Sequence, residues 1–167
     1  MSVREPPSAD LDLVDVWVLN FPLEVFGRAQ EHADGLLREF ALIAQDWASD
    51  NVQTLPERLL AIVDELGVGY GGVSTEPEAE RDAAIDRGEK FVDLHYRVPR
   101  AAAAASAHLG SVLDQADEYC RSGHHLLSLT TPHESLVFRR WLIGEIINQV
   151  AGAAPVPWSD RLVEQDA

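Results

Sequence analysis

One apolar repeat in the first third of the chain constrains the fold more than any other feature. After Pro22, apolar side chains recur at alternating spacings of three and four residues. They are Phe26, Ala29, Ala33, Leu36, Phe40, Ile43 and Trp47. This spacing places them on one face of a helix of about 25 residues. Leu37 and Ala44 widen the apolar stripe beyond a two-stranded seam. The pattern therefore predicts a long helix packed within a bundle.

Four more helices follow from capping signals and periodicity. The capping pattern Thr-x-x-Glu predicts helix starts at Thr54, Thr75 and Thr131. A long helix with small residues in its first half is expected from Pro99 to Ser122-Gly123. The last helix, from Pro132 to about Gly152, is apolar on nearly every side. We expect it to be central in the fold, or to be covered by a second subunit.

Two segments rich in β-forming residues interrupt the helical pattern. They run over 14–20 and 91–97, and each leads into a proline and then a long helix. The fold class predicted is mainly α, a bundle of about five helices with a small two-stranded sheet. Two helices are long and one is central and apolar. The repeated order of strand and helices also predicts an approximate internal two-fold.

The domain boundaries follow from the loss of apolar periodicity at both ends. Residues 1–10 and 153–167 are predicted to be tails around one domain over 11–152, although Trp158 could dock the second tail. The chain carries 28 acidic and 13 basic side chains, a net charge of −15. That charge disfavours nucleic acid and anionic membranes as partners. Without a signal peptide or an apolar span, the expected location is the cytoplasm.

Motifs for common chemistries are incomplete in this sequence. The glycines over 67–72 formally fit a dinucleotide-binding loop, but they follow a helix instead of a strand, which predicts a turn. His133-Glu134 lacks the second histidine of a zinc-protease helix, so His124, His125 and His133 are only weak metal candidates. The single cysteine, Cys120, is expected to pack. We expect no cofactor.

Charged residues on the last two long helices have more than one interpretation. Asp114, Asp117, Glu118 and Arg121 share one side of the fourth helix, which predicts a solvated face with an Asp117–Arg121 pair. Arg139 and Arg140 fall on the apolar side of the last helix. At least one guanidinium must then be partly buried, cross a subunit boundary or find a carboxylate. The two interpretations are an ion pair with an acid of another helix, and an anion or partner site.

Three phrases of the sequence resemble a known group of proteins. They are Asn20-Phe-Pro-Leu-Glu-Val-Phe-Gly-Arg-Ala-Gln-Glu-His32, Leu37-Arg-Glu-Phe-Ala-Leu-Ile43 and Phe138-Arg-Arg-Trp-Leu-Ile-Gly-Glu145. They are similar to a little-characterised actinobacterial family of helical proteins associated with anti-sigma and partner-switching regulatory genes. The resemblance implies an accessory regulatory role in bacterial signalling. It supplies no active-site residues.

Two functions follow as hypotheses from different classes. The first is a non-enzymatic interaction module with a protein partner, forming a homodimer through the last helix and one long helix. Sedimentation as a monomer at high concentration would contradict it. The alternative is a small-molecule-binding bundle, or an unrecognised enzyme, with a pocket between the long helices. The candidate residues for that pocket are Tyr70, His95, Tyr96, Arg139 and Arg140.

Overall fold

The computed structural model describes residues 12–46, 55–70, 75–122 and 130–159. Two strands and five helices occupy these ranges. They are β1 (Leu13–Pro22), α1 (Leu23–Asp46), α2 (Leu55–Tyr70), α3 (Thr75–Asp86), β2 (Phe91–Pro99), α4 (Ala101–Arg121) and α5 (His133–Val150). The fold is mainly α with a small two-stranded sheet, as the sequence predicts. Residues 1–10 and 160–167 lie outside the described ranges.

Four of the helices pack in a ring. α1 contacts α2 and α5, and α4 contacts the same two helices, whereas α3 packs on β2. α1 and α4, the two long helices expected from the sequence, therefore lie diagonally opposite each other in the ring. This arrangement leaves an interior bounded by α1, α4 and α5, and the candidate site lies there.

The sheet is antiparallel and carries one irregularity. Trp17 lies opposite His95, and the register shifts between Val18 and Phe21. At the shift, Asn20 has a left-handed backbone with φ of 57°, a conformation that asparagine adopts more readily than most residues. The backbone N–H of Asn20 donates to Asp93 Oδ1 at 2.7 Å, and its side-chain amide donates to the carbonyl oxygen of Trp158 at 2.7 Å. The irregularity thus ties β1 to β2 and to the C-terminal segment.

The core has two parts. One lies under the sheet and includes Val16, Val18, Leu94 and Phe138. The other lies within the bundle and comprises Leu36, Phe40, Leu59, Val112 and Ala116. Because the sheet and the bundle each bury one apolar face, neither layer has to be stable alone.

α5 is central, as predicted, because it packs on α1, α4 and β1. Its buried positions, however, include polar side chains as well as apolar ones. Gln149 accepts the backbone N–H of Trp17 at 2.9 Å and donates to the Trp17 carbonyl oxygen at 2.7 Å. Buried Glu145 accepts from the Gln149 amide at 2.8 Å and from the Val156 backbone at 2.9 Å. The side-chain amide of Gln149 thereby bonds both backbone groups of Trp17, which would otherwise be unpaired at the edge of β1.

The ordered domain extends beyond residue 152. Trp158 is 1% exposed and makes edge-to-face contacts with Phe138 and Trp141, with ring centroids 5.8 and 5.4 Å apart. Its backbone N–H donates to the Leu19 carbonyl oxygen at 3.0 Å. Residues 153–159 therefore pack against the domain, so the predicted boundary at 152 was too early, and the docking expected of Trp158 is confirmed.

The predicted capping signals have mixed outcomes. α3 begins at Thr75, as predicted, while Thr54 lies outside the described residues. α5 begins after Pro132 without a side-chain cap. The Thr131 hydroxyl instead donates to the buried carboxylate of Asp117 on α4, a charge-assisted hydrogen bond.

The neighbours of the four ring helices agree with the predicted internal two-fold, whereas the helices that cover the two strands do not. The strands pair antiparallel, and each long helix contacts the same two neighbours. The main helical neighbour of β1 is nevertheless α5, whereas that of β2 is α3. Because α3 has no counterpart after α5 in described residues 151–159, the two halves bury their strands differently.

Candidate functional site

A cavity of about 270 Å³ lies between α1, α4 and α5. Most of its wall is apolar, with Ala29 and Ala33 on α1 supplying little volume where larger side chains would fill the space. The other residues that line it are Phe26, Gln30, His32, Leu36, Leu109, Leu113, Thr131, Ser135, Phe138, Arg139, Leu142 and Ile143. Interiors between bundle helices are common sites for small molecules.

An ion-pair network lies beside the cavity. Arg139 Nη2 donates to Asp114 Oδ1 at 2.8 Å and to Asp117 Oδ2 at 2.6 Å. The side chains of Arg139 and Asp117 are only 16% and 7% exposed. One of the two interpretations of Arg139, the ion pair with an acid of another helix, is therefore confirmed. Arg140 is exposed and lies along a wider surface groove between α4 and α5.

The network continues through Thr131 to α1. The Thr131 hydroxyl donates to Asp117 Oδ1, and His32 Nε2 lies 3.2 Å from the same hydroxyl oxygen. A hydroxyl has one hydrogen, and the Thr131 hydroxyl uses it in the hydrogen bond to Asp117. His32 Nε2 must then carry the hydrogen of the second bond. The chain of donors runs from His32 through Thr131 to Asp117 and links α1, the segment before α5, and α4.

The Asp117–Arg121 pair expected on a solvated face is wrong. Asp117 is 5% exposed and bonds to Arg139 and Thr131, while Arg121 pairs with Glu118. A spacing of four residues permits a pair on one helix, but α5 places a cation closer to the buried carboxylate. Asp114 and Glu118 are exposed, as the sequence predicted.

His32 had no assigned role in the sequence, yet it lines the cavity. The available signal was its position on α1, three residues after Ala29 and four before Leu36, which puts it at the border of the apolar stripe. Burial lowers the pKa of His32; Asp117 opposes this shift and Arg139 adds to it. The neutral imidazole is therefore the favoured form inside the fold.

The shifted pKa of His32 predicts a pH-dependent stability. The unfolded chain takes up this proton at a higher pH than the folded chain. Neutral His32 thus contributes its full stabilising free energy above the pKa of about 6.5 that it has in the unfolded chain. This contribution is lost as the pH falls through the lower pKa that it has in the folded state. We expect the free energy of unfolding to fall less between about pH 7 and pH 5 in His32→Gln than in the wild type.

Urea denaturation across that pH range measures the difference. Glutamine keeps an N–H donor for Thr131, so the variant isolates titration from hydrogen bonding. His108→Gln, an exposed histidine on α4, is the matched control and should keep the wild-type slope. Equal slopes for His32→Gln and the wild type would refute the assignment.

The other predicted pocket residues are not gathered at this cavity. His95 lies on the outer face of the sheet, stacked on Trp17 with ring centroids 4.3 Å apart and with Nε2 2.7 Å from Asp15 Oδ1. Tyr96 points to the opposite face because side chains alternate along a strand. Burial raises the pKa of Tyr96. Arg81 of α3 opposes this shift, and Glu78 of α3 adds to it. The expectation that His95 and Tyr96 share the pocket with Arg139 is wrong. Tyr70 ends α2, and its side chain lies outside the described residues.

The weak metal candidates do not form a described site. His124 and His125 lie outside the described residues, and His133 is exposed at the start of α5. Within the ranges that the structure describes, no group of three histidine, cysteine, aspartate or glutamate side chains is arranged to hold a metal ion.

Cys120 is half-buried beside the bundle core. Burial raises the pKa of its thiol, and the carboxylates of Asp117 and Glu39 raise it further. A raised pKa disfavours the nucleophilic thiolate. The environment of Cys120 agrees with the packing role expected from the sequence.

Comparisons with family models, with curated proteins and with solved structures give no match. Among residues 12–46, 55–70, 75–122 and 130–159, no helix has the length and apolar character that a bilayer span requires.

Proposed function

We propose that this protein is a non-enzymatic regulatory module that binds a small, largely apolar molecule in the cavity between α1, α4 and α5. The observation that carries the proposal is the cavity itself, about 270 Å³ with an apolar wall and polar groups at one side. An apolar cavity of about 150 Å³ is enough to hold benzene. The larger space here suits a molecule of two fused rings.

The polar groups beside the cavity favour binding over catalysis. Arg139 Nη2 and the Thr131 hydroxyl both donate to the Asp117 carboxylate, so these atoms are engaged within the protein. A general acid or base must instead exchange a proton with a substrate atom within hydrogen-bond reach. The network supports a rigid wall that orients a ligand. The bacterial regulatory setting is supported by the sequence resemblance, and self-association stays a prediction.

The cavity can be tested by filling it. Ala33→Leu adds three carbons at the wall, and these occupy space that the ligand would fill. Excluding an apolar group of this size from the cavity costs more than about 1.4 kcal/mol of binding free energy, so we expect 1-methylindole to bind at least about tenfold more weakly. Isothermal titration calorimetry with 1-methylindole measures the dissociation constants of both proteins.

The matched control is Ala104→Leu, the same substitution at an exposed position of α4. It should bind 1-methylindole as the wild type does, and circular dichroism checks that both variants keep the helical fold. If the wild type gives no saturable heat with either 1-methylindole or its isomer 3-methylindole up to their solubility limits, or if Ala33→Leu binds 1-methylindole as well as the wild type does, the proposed function is wrong.

A further inference from the structure

The chemical character of the ligand follows from the directions of the hydrogen bonds beside the cavity, an argument that rests on the proposed function. The Asp117 carboxylate, paired with Arg139, only accepts hydrogen bonds. Thr131 donates its hydrogen to this carboxylate, so its oxygen accepts from His32 Nε2. A neutral imidazole with its hydrogen on Nε2 has an acceptor at Nδ1.

No protein partner of this acceptor is found among the described residues. His32 lines the cavity, and within the described ranges its only hydrogen bond is the one between Nε2 and Thr131. A ligand with an N–H or O–H group can therefore complete the bonding capacity of the imidazole. A ligand that places only carbon there leaves the acceptor unpaired when water is expelled, which is unfavourable.

The charges beside the cavity argue against an anionic ligand. The single guanidinium of Arg139 already serves two carboxylates, Asp114 and Asp117. The three groups together carry one net negative charge. A carboxylate or phosphate on the ligand would meet this charge without an unengaged cation of the network to bind it.

We infer that the cavity takes a neutral ring compound bearing one N–H or O–H donor, which donates to Nδ1 of His32. Phe26 and Phe138 supply adjoining aromatic parts of the wall, and their rings are in edge contact with centroids 6.5 Å apart. His32 is the residue that decides between ligands with a donor and ligands of equal size without one. This selectivity is a property of the hydrogen-bond direction in the network and not of the cavity volume.

The isomers 3-methylindole and 1-methylindole provide a direct test, because they contain the same atoms and only the first has an N–H group. Calorimetric titration of the wild type should show 3-methylindole binding at least about fivefold more tightly, the fold-change expected for one hydrogen bond to a neutral acceptor. In His32→Leu the two isomers should bind within about twofold of each other. His108→Leu is the control and should keep the preference.

The outcomes separate this inference from the proposed function. If both isomers bind the wild type equally and Ala33→Leu weakens both, the cavity is a binding site and the donor inference is wrong. The inference is also wrong if His32→Leu, folded by circular dichroism, keeps the preference. If neither isomer binds the wild type, the proposed function fails and the inference fails with it.

Discussion

Replacing Arg139 by alanine is expected to lower the free energy of unfolding by about 3 kcal/mol or more, because it leaves a buried carboxylate without its cation. Asp117 is 5% exposed, and among the described residues it would keep only the Thr131 hydroxyl as a hydrogen-bond partner. Asp114 is exposed, so water can replace the hydrogen bond that it loses. The cost therefore arises at Asp117, and it is a large part of the roughly 5–15 kcal/mol typical of a folded domain.

Arg140→Ala is the matched control, since the neighbouring arginine on the same helix is exposed. It should change the free energy of unfolding by about 0.5 kcal/mol or less. Urea denaturation followed by circular dichroism compares the two variants.

A second substitution identifies the mechanism. In the Arg139→Ala background, Asp117→Asn removes the unpaired charge and keeps a similar shape, so it should recover at least about 1 kcal/mol. If Arg139→Ala is no more harmful than Arg140→Ala, the ion pair is not part of the stable core. If adding Asp117→Asn gives no recovery, the loss comes from missing arginine packing instead of an unpaired charge.

Replacing Trp158 by alanine is expected to cost about 3–5 kcal/mol of unfolding free energy, the range found for deleting a large aromatic side chain from a core. Trp158 is 1% exposed and fills the space between Phe138, Trp141 and β1. Its loss would also weaken the hold of residues 153–159 on the edge of β1, where the Trp158 backbone meets Leu19.

Two controls distinguish core loss from loss of any large side chain. Trp17→Ala removes a tryptophan that is 43% exposed, and Val156→Ala changes a neighbour that is 52% exposed. Both should cost about 1 kcal/mol or less. Far-UV circular dichroism in urea is the appropriate readout, because it does not depend on tryptophan emission. A cost below about 1 kcal/mol for Trp158→Ala would mean that residues 153–159 behave as the tail the sequence predicted.

The helices and strands were predictable because their signals are local. α1 begins one residue after Pro22 and follows the apolar repeat, and α4 ends just before Ser122. Both strands were recognised from β-forming residues that lead into prolines. The opposite placement of His95 and Tyr96 was also available in principle, because neighbouring residues of any strand face opposite sides.

The candidate site was predictable only in part. The helical wheel predicted that at least one of the two arginines is partly buried, crosses a subunit boundary or meets a carboxylate, and Arg139 is partly buried and meets Asp117. The position of His32 at the border of the α1 stripe was a signal for partial burial, but it gave no partner. Asp117 and Thr131 carried stronger local signals for other roles, an intrahelical pair and a helix cap.

The sequence by itself determined which segments are helix or strand and which face of each is apolar, because these properties depend on residues within a few turns of one another. Only the tertiary structure decided that Arg139 meets Asp117, that Thr131 bonds to Asp117 instead of capping α5, and that Trp158 is core. These contacts join residues 14 to 139 positions apart along the chain. They depend on which helices are neighbours in the ring, and the periodicity of a single helix carries no information about the neighbour that covers it.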